Sequence, residues 1–257
     1  MTRNQIAGGL AGLLLSTTVI AGSVLASSAP SAASVTPAAT TASAACATEW
    51  TTAHTSPSVA ALKVVGDCEV DRRLATIATM RTEIGNAAAM TADHKAALTA
   101  TLDADQSGLG TLRTTIDGDT TVLALRTDIH RIFTDYRVYA VVARQVRLVR
   151  GDDAVAAATA RLDAGAAKLQ AAITKAKGNG KDTTVAETQL AAMQAAIADA
   201  RAQIDGDAAG VLSQTPAGFN AGTAGPVLDA ARTSIKSARA DAATALAAGK
   251  AAIASLK

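Results

Sequence analysis

The chain has 257 residues, with 24 Lys and Arg against 22 Asp and Glu and a formal net charge of +2, a balance without the basic excess of most nucleic-acid binders. Hydrophobic residues make up 49% but aromatics only 2%, and 65 residues are Ala. A sheet draws on β-branched and aromatic side chains, whereas Ala is the best helix former and lets backbones approach closely, so composition points to an all-α protein.

Residues 1–33 read as a secretory signal peptide. Arg3 supplies the charged start, "IAGGLAGLLLSTTVIAGSVLA" the apolar stretch, and small residues follow. Cleavage is expected after Ala26 or Ala33, which places the mature chain in the cell envelope or outside the cell. The alternative is an uncleaved anchor, since the apolar stretch approaches membrane-spanning length; the chain would then be a membrane-tethered helical spacer. The Ser/Thr/Ala/Pro-rich residues 27–45 have nothing to bury and are expected to be disordered.

Cys46 and Cys68 are the only cysteines, and in an oxidising compartment two cysteines default to one disulfide. It would clip the segment holding Trp50 and His54 onto the start of the first helix. Lipidation of Cys46 is set aside, because Ser43 stands where a lipoprotein signal carries Leu. Residues 34–66 are thus expected to be linker plus a clipped N-terminal segment, and 67–257 the helical part.

Six stretches then space their apolar residues by three and four. The first covers about Val70 to Ala89. Thr91 reads as an N-cap for the second, which carries Leu98, Leu102, Leu109, Leu112 and Ile116. Asp119 or Thr120 is expected to cap the third, whose stripe is Val122, Leu125, Ile129, Ile132, Tyr136, Tyr139, Ala143 and Val146. Gly151 is expected to end it and Asp152 or Asp153 to cap the fourth, with Val155, Leu162, Leu169 and Ile173. "KGNGKD" reads as a stop and a start. The fifth holds Leu190, Met193, Ile197 and Ile204. After the loop "SQTPAGFNAGTAGP", Pro226 suits the first turn of the sixth, which carries Leu228, Ile235, Leu246, Ile253 and Leu256. Such a repeat implies seams between helices, and short connections make neighbours antiparallel. The expected architecture is an elongated antiparallel up-and-down helical bundle with coiled-coil-like heptad packing, either one bundle or two sub-units, 67–150 and 151–257.

Within the second stretch, Asp103, Asp105, Ser107 and Gly108 occupy the first, third, fifth and sixth positions of a calcium loop. The twelfth position, which needs a bidentate Glu, is Thr114, and the eighth is Gly110. Helical phase also runs straight through. The better reading is a helix whose Gly108 and Gly110 allow a close approach, with Asp105 on the apolar seam in need of a partner such as an Arg. No metal or cofactor is expected; Asp103, Asp105 and Ser107, with the acidic turn at Asp117 and Asp119, are the weak candidates for a calcium- or ligand-binding bundle. His54, His94 and His130 lie in different segments, none with a second His or Cys at ligand spacing, and His130 reads as solvated or ion-paired.

The segment 128–150 gathers most of the aromatics and a basic run. Asp128, Arg131 and Asp135 are spaced to pair along one face. Tyr136, Tyr139, Arg137, Arg144, Arg147 and Arg150 form the possible interaction face for an anionic envelope polymer or an acidic partner. The structural reading has the tyrosines at the core edge and the arginines paired with acids on adjacent helices. No nucleophile–base pair, phosphate loop or carboxylate pair stands out, so catalysis is not expected.

With the export signal and the Ala-rich helices, "SGLGTLRTTIDGDTT" and "DYRVYAVVARQV" make residues 65–215 resemble uncharacterised exported helical proteins of actinobacteria. The resemblance implies an extracellular or envelope location and transfers no site residue. The expected function is structural or protein-interacting, with an extracellular protein or polymer as partner, no nucleic acid, no membrane span after signal cleavage, and self-association through helices as a further route.

Overall fold

A computed structural model describes residues 46–257. The expected signal peptide, its cleavage sites and the linker up to residue 45 lie outside the described residues. The protein is all-α, 86% helical with no strand among the described residues.

Helix α1 (Ala47–Thr55) is tied at its start by the Cys46–Cys68 disulfide, with Cα atoms 5.9 Å apart. Helix α2 (Val59–Asn86) begins well before the predicted Val70, because Ser58 accepts a hydrogen bond from the Ala61 amide and caps it there. The described part of the segment expected to lie outside the helical part, residues 46–66, is therefore largely helix. Helix α3 (Ala92–Gly118) has the predicted cap: Thr91 Oγ1 accepts from the His94 amide at 3.2 Å. Helix α4 (Val122–Thr134) is capped by Thr121, one residue beyond the predicted Asp119 or Thr120.

The largest departure follows α4. The third stretch breaks at Arg137, whose φ of 44° and ψ of 37° are left-handed, and resumes as a single π-helical turn, Val138–Val142. That turn adds a residue to the helical register. It carries Val138, Val141, Val142, Val146 and Val149 into the core and leaves Tyr136 and Tyr139 at its rim. Helix α5 (Ala143–Gly178) then runs through Gly151 without interruption. Gly151 is a contact point with the last helix, not a stop: a Cβ there would lie 3.2 Å from the Arg239 guanidinium and 3.3 Å from Ile235 Cγ2. Asp152 and Asp153, expected to cap a new helix, are instead buried in the interior of this one.

Helix α6 (Thr184–Ile204) follows the predicted break, with Asp182 accepting from the Thr184 amide. Two short helices, α7 (Asp207–Leu212) and α8 (Pro216–Asn220), occupy the expected loop, and α9 (Ala224–Ser255) holds Pro226 in its first turn. The larger core gathers α2, α3, α4, the π turn, the start of α5 and α7 around Leu98, Leu102, Leu109, Ile116, Leu125 and Ile132. A second lies between α5, α6 and α9 around Leu169, Ile173, Leu190 and Met193. A small cluster of Val155, Ala200, Ile204, Ile235 and Ala238 lies around the middle of α5. No helix among the described residues is long and apolar enough to cross a membrane.

Candidate functional site

The four arginines of the predicted interaction face are engaged within the molecule. Arg137 Nε donates to Asn220 Oδ1 at 2.8 Å and its guanidinium stacks on Phe219; Asn220 in turn donates to the Thr134 carbonyl at 2.9 Å. Arg144 pairs with Asp229 of α9 at 2.5 Å, and Arg150 lies 3.7 Å from Glu83 of α2. Arg147 Nε donates to its own helix, at the Ala143 carbonyl. Arg131 bridges Asp128 and Asp135 at 3.0 Å each, as their spacing predicts. Arg137, Arg144 and Arg150 therefore link this stretch to α8, α9 and α2, whereas Arg147 is exposed and bonds its own helix.

The two tyrosines occupy different environments. Tyr136 lies across Gly108, where a Cβ would meet the ring at 2.6–3.0 Å. Gly110, expected to make a similar approach, has nothing within 4 Å of a Cβ. Tyr139 reaches Thr76 Oγ1 and the Arg72 carbonyl at 3.3 and 3.4 Å, with the Arg72 and Arg73 guanidinium groups against its ring.

The calcium-like stretch is a continuous part of α3. Asp103 pairs with Arg81 of α2, and Arg81 also donates to Gln106. Ser107 contributes its backbone carbonyl to Thr111. Asp105 lacks the expected Arg: its Oδ2 is sealed from solvent with no hydrogen-bond partner, and burial pushes the carboxyl up to about 7. The Asp117 carbonyl accepts from Lys63. Among the described residues, no group of three or more His, Cys, Asp or Glu is placed to hold a metal ion.

Two polar clusters reach beyond any local motif, although the spacing of Glu69 with Arg72 and Arg73 by three and four signals part of the first. The first lies under α1. Trp50 Nε1 donates to Glu69 Oε1 at 2.9 Å, while Arg72 and Arg73 each reach Glu69 Oε2 at 2.6 Å. Glu69 and Arg73 are both only 3% exposed, and Arg73 also stacks on Phe133 at 4.5 Å. Burial pushes the Glu69 carboxyl up, but the hydrogen bonds from Trp50 and Arg73 and the arginine charges outweigh it, leaving the carboxyl below its ordinary value.

The second cluster lies where the α2–α3 turn, the middle of α5 and the start of α7 meet. His94 Nδ1 bonds both Asp153 oxygens at 2.9 and 3.0 Å, and the Thr91 amide donates to Asp153 Oδ2 at 3.1 Å. Both Asp153 oxygens are thereby engaged. Beside it, Asp152 is 7% exposed and its Oδ1 has no hydrogen-bond partner; the same is true of Asp207 Oδ2. Burial first, then the charges of Asp153 and Asp207, push the Asp152 carboxyl up to about 6 against the pull of His94.

No protein-family model, curated protein or solved structure matches the chain.

Proposed function

We propose that this is an exported, non-catalytic helical protein of the cell envelope or extracellular space, with a structural or protein-interacting role. The observation that carries this reading is the Cys46–Cys68 disulfide, a bond at home in oxidising compartments and rare in the cytosol. The bracing of the 128–150 stretch favours a mechanical role over capture of a polyanion by free arginines. In the same reading the helices form an elongated antiparallel up-and-down bundle with coiled-coil-like heptad packing. In support, Leu98, Leu102, Leu109, Leu112 and Ile116 of α3 follow a three-four step and are all buried.

The deciding experiment expresses the full chain with its own N-terminus, fractionates the cells, and measures the intact mass with and without reductant. The expected product is recovered from the envelope or medium, lacks the first 26 or 33 residues, and gains two hydrogens on reduction. A full-length chain with two free thiols in the cytoplasm would sink the reading.

A further inference from the structure

We propose that the contact between the middle of α5 and the start of α7 is a proton-gated joint, closed when Asp152 holds a proton and loosened when Asp152 and Asp207 are both ionised.

The geometry carries the argument. Asp152 is more than nine-tenths buried and points an unpartnered oxygen into a cluster that already contains Asp153 and Asp207. Asp153 brings Asp152 no counter-charge, being itself a carboxylate held by His94 and the Thr91 amide. Asp207 opens α7 and also holds a sealed, unpartnered oxygen. An unpaired buried carboxylate is expensive, and a second one beside it makes ionisation of both more so. One proton on Asp152 removes a charge from the cluster and with it the repulsion from Asp153 and Asp207.

The other charged groups around the cluster do not supply a cation to Asp152. From α3 comes His94, committed to Asp153. From α2 comes Glu83, paired with Arg150. From α9, Arg239 lies against Gly151 and is exposed. The carboxyl of Asp152 is held up to about 6, so the sign follows directly. A raised carboxyl favours the fold in its protonated form, and that stabilisation is lost as pH rises through about 6.

The element that would move is built to move. α7 has six residues and enters through Gly206 at φ 77°. Beyond the acidic end it is held by Gln145, whose Nε2 donates to the Val211 and Gln214 carbonyls at 3.0 and 2.9 Å, and by burial of Ala208 and Val211. Loosening the acidic end would expose these apolar residues while the Gln145 bonds hold the far end of α7, so opening would be local.

Hydrogen exchange of the mature protein near pH 5 and pH 7.5, corrected for intrinsic rates, tests the joint. Amides of 205–214 should exchange about tenfold faster at the higher pH relative to those of α3, since each unit by which the lower pH lies below the shifted value of about 6 is worth about a factor of ten and nothing further is lost above it. Asp152→Asn and Asp207→Asn should each remove most of that difference while leaving α3 unchanged. The joint is overturned if 205–214 shows no pH dependence beyond α3, if Asp152→Asn retains the full difference, or if the difference disappears only in His94→Gln.

Discussion

The two main cores of this protein specify their packing by different means. Around α2, α3 and α4 the core is mostly Leu, Ile and Val, with five Ala and two Met, and has buried polar pairs at its margins; Trp50, Phe133, Tyr136 and Tyr139 all pack against that core or its polar rim. Between α5, α6 and α9 the buried set is Ala, Leu, Ile and one Met. Large side chains and buried hydrogen bonds admit few alternative arrangements, because each misplacement leaves a cavity or an unpaired polar group. A small-residue interface has fewer such constraints. The first region should therefore be sensitive to chemistry, the second to volume.

The sharpest way to break the contrast is at Glu69. Glu69→Ala leaves Arg73, 3% exposed, without its counter-charge, and removing one partner of a buried pair costs about 3–5 kcal/mol. Chemical denaturation should show the midpoint falling with an unchanged slope; a loss within experimental error would mean that Arg72 and Arg73 find water instead. Glu69→Gln should cost less, because the amide can still accept from Trp50. Next in size is the clip itself. Replacing Cys46 and Cys68 by Ser releases a loop whose ends are 22 residues apart in sequence, and should cost about 3 kcal/mol on the chain-entropy account. Loss of the Trp50 fluorescence environment before global unfolding would localise that cost to α1.

These positions also show what is legible in a sequence. The apolar stripe of α3 and its Thr91 cap rest on neighbours three or four residues apart, and both are found in the structure. The pairing of Asp128, Arg131 and Asp135 was readable for the same reason. The break at Arg137 was not, because Ile132, Tyr136 and Tyr139 keep a helical step across it. Only the packing of Val138, Val141 and Val142 makes the inserted residue worthwhile. Gly151 and Asp152–Asp153 imitate a helix end, yet Gly151 serves a contact with α9 and Asp153 bonds a histidine 59 residues away. The Glu69 cluster spans a separation of 19 to Trp50 and brings in Phe133 and Tyr139 from α4 and the π turn. Local rules reach one turn of helix, far enough to pair Glu69 with Arg72 and Arg73, while the rest of both polar clusters is assembled over longer distances.

The volume side of the contrast is tested at Gly249, where a Cβ would lie 2.9 Å from Met193 Sδ. Gly249→Val should destabilise by about 1–3 kcal/mol through overpacking. The lower end is expected, since Met193 is flexible and can withdraw. Gly110→Ala, with nothing within 4 Å of the new Cβ, should be neutral or stabilising by up to about 1 kcal/mol, because Ala exceeds Gly in helix propensity. If Gly249→Val costs no more than Gly110→Ala, the far core is too loosely packed to register a side chain of that size.

The smallest effect concerns Asp105, where the first region departs from its own rule of pairing what it buries. Its carboxyl, pushed up to about 7 by burial, favours the fold when protonated, so this contribution is lost as pH rises through about 7. Asp105→Asn keeps the shape and removes the charge. It should raise the unfolding temperature near pH 8 by a few degrees, about 1 kcal/mol after allowing for partial exposure, and leave it unchanged near pH 3, below the carboxyl's ordinary value. Equal stability of the two proteins at both pH values would place the ionised carboxylate in contact with water, and Tyr136 would then shield it less than its position over Gly108 implies. A stabilisation confined to the higher pH would show that α3 carries an unpaired charge at neutrality where an uncharged side chain is better accommodated. It would also separate this site from Asp152, whose transition lies about one unit lower, near pH 6.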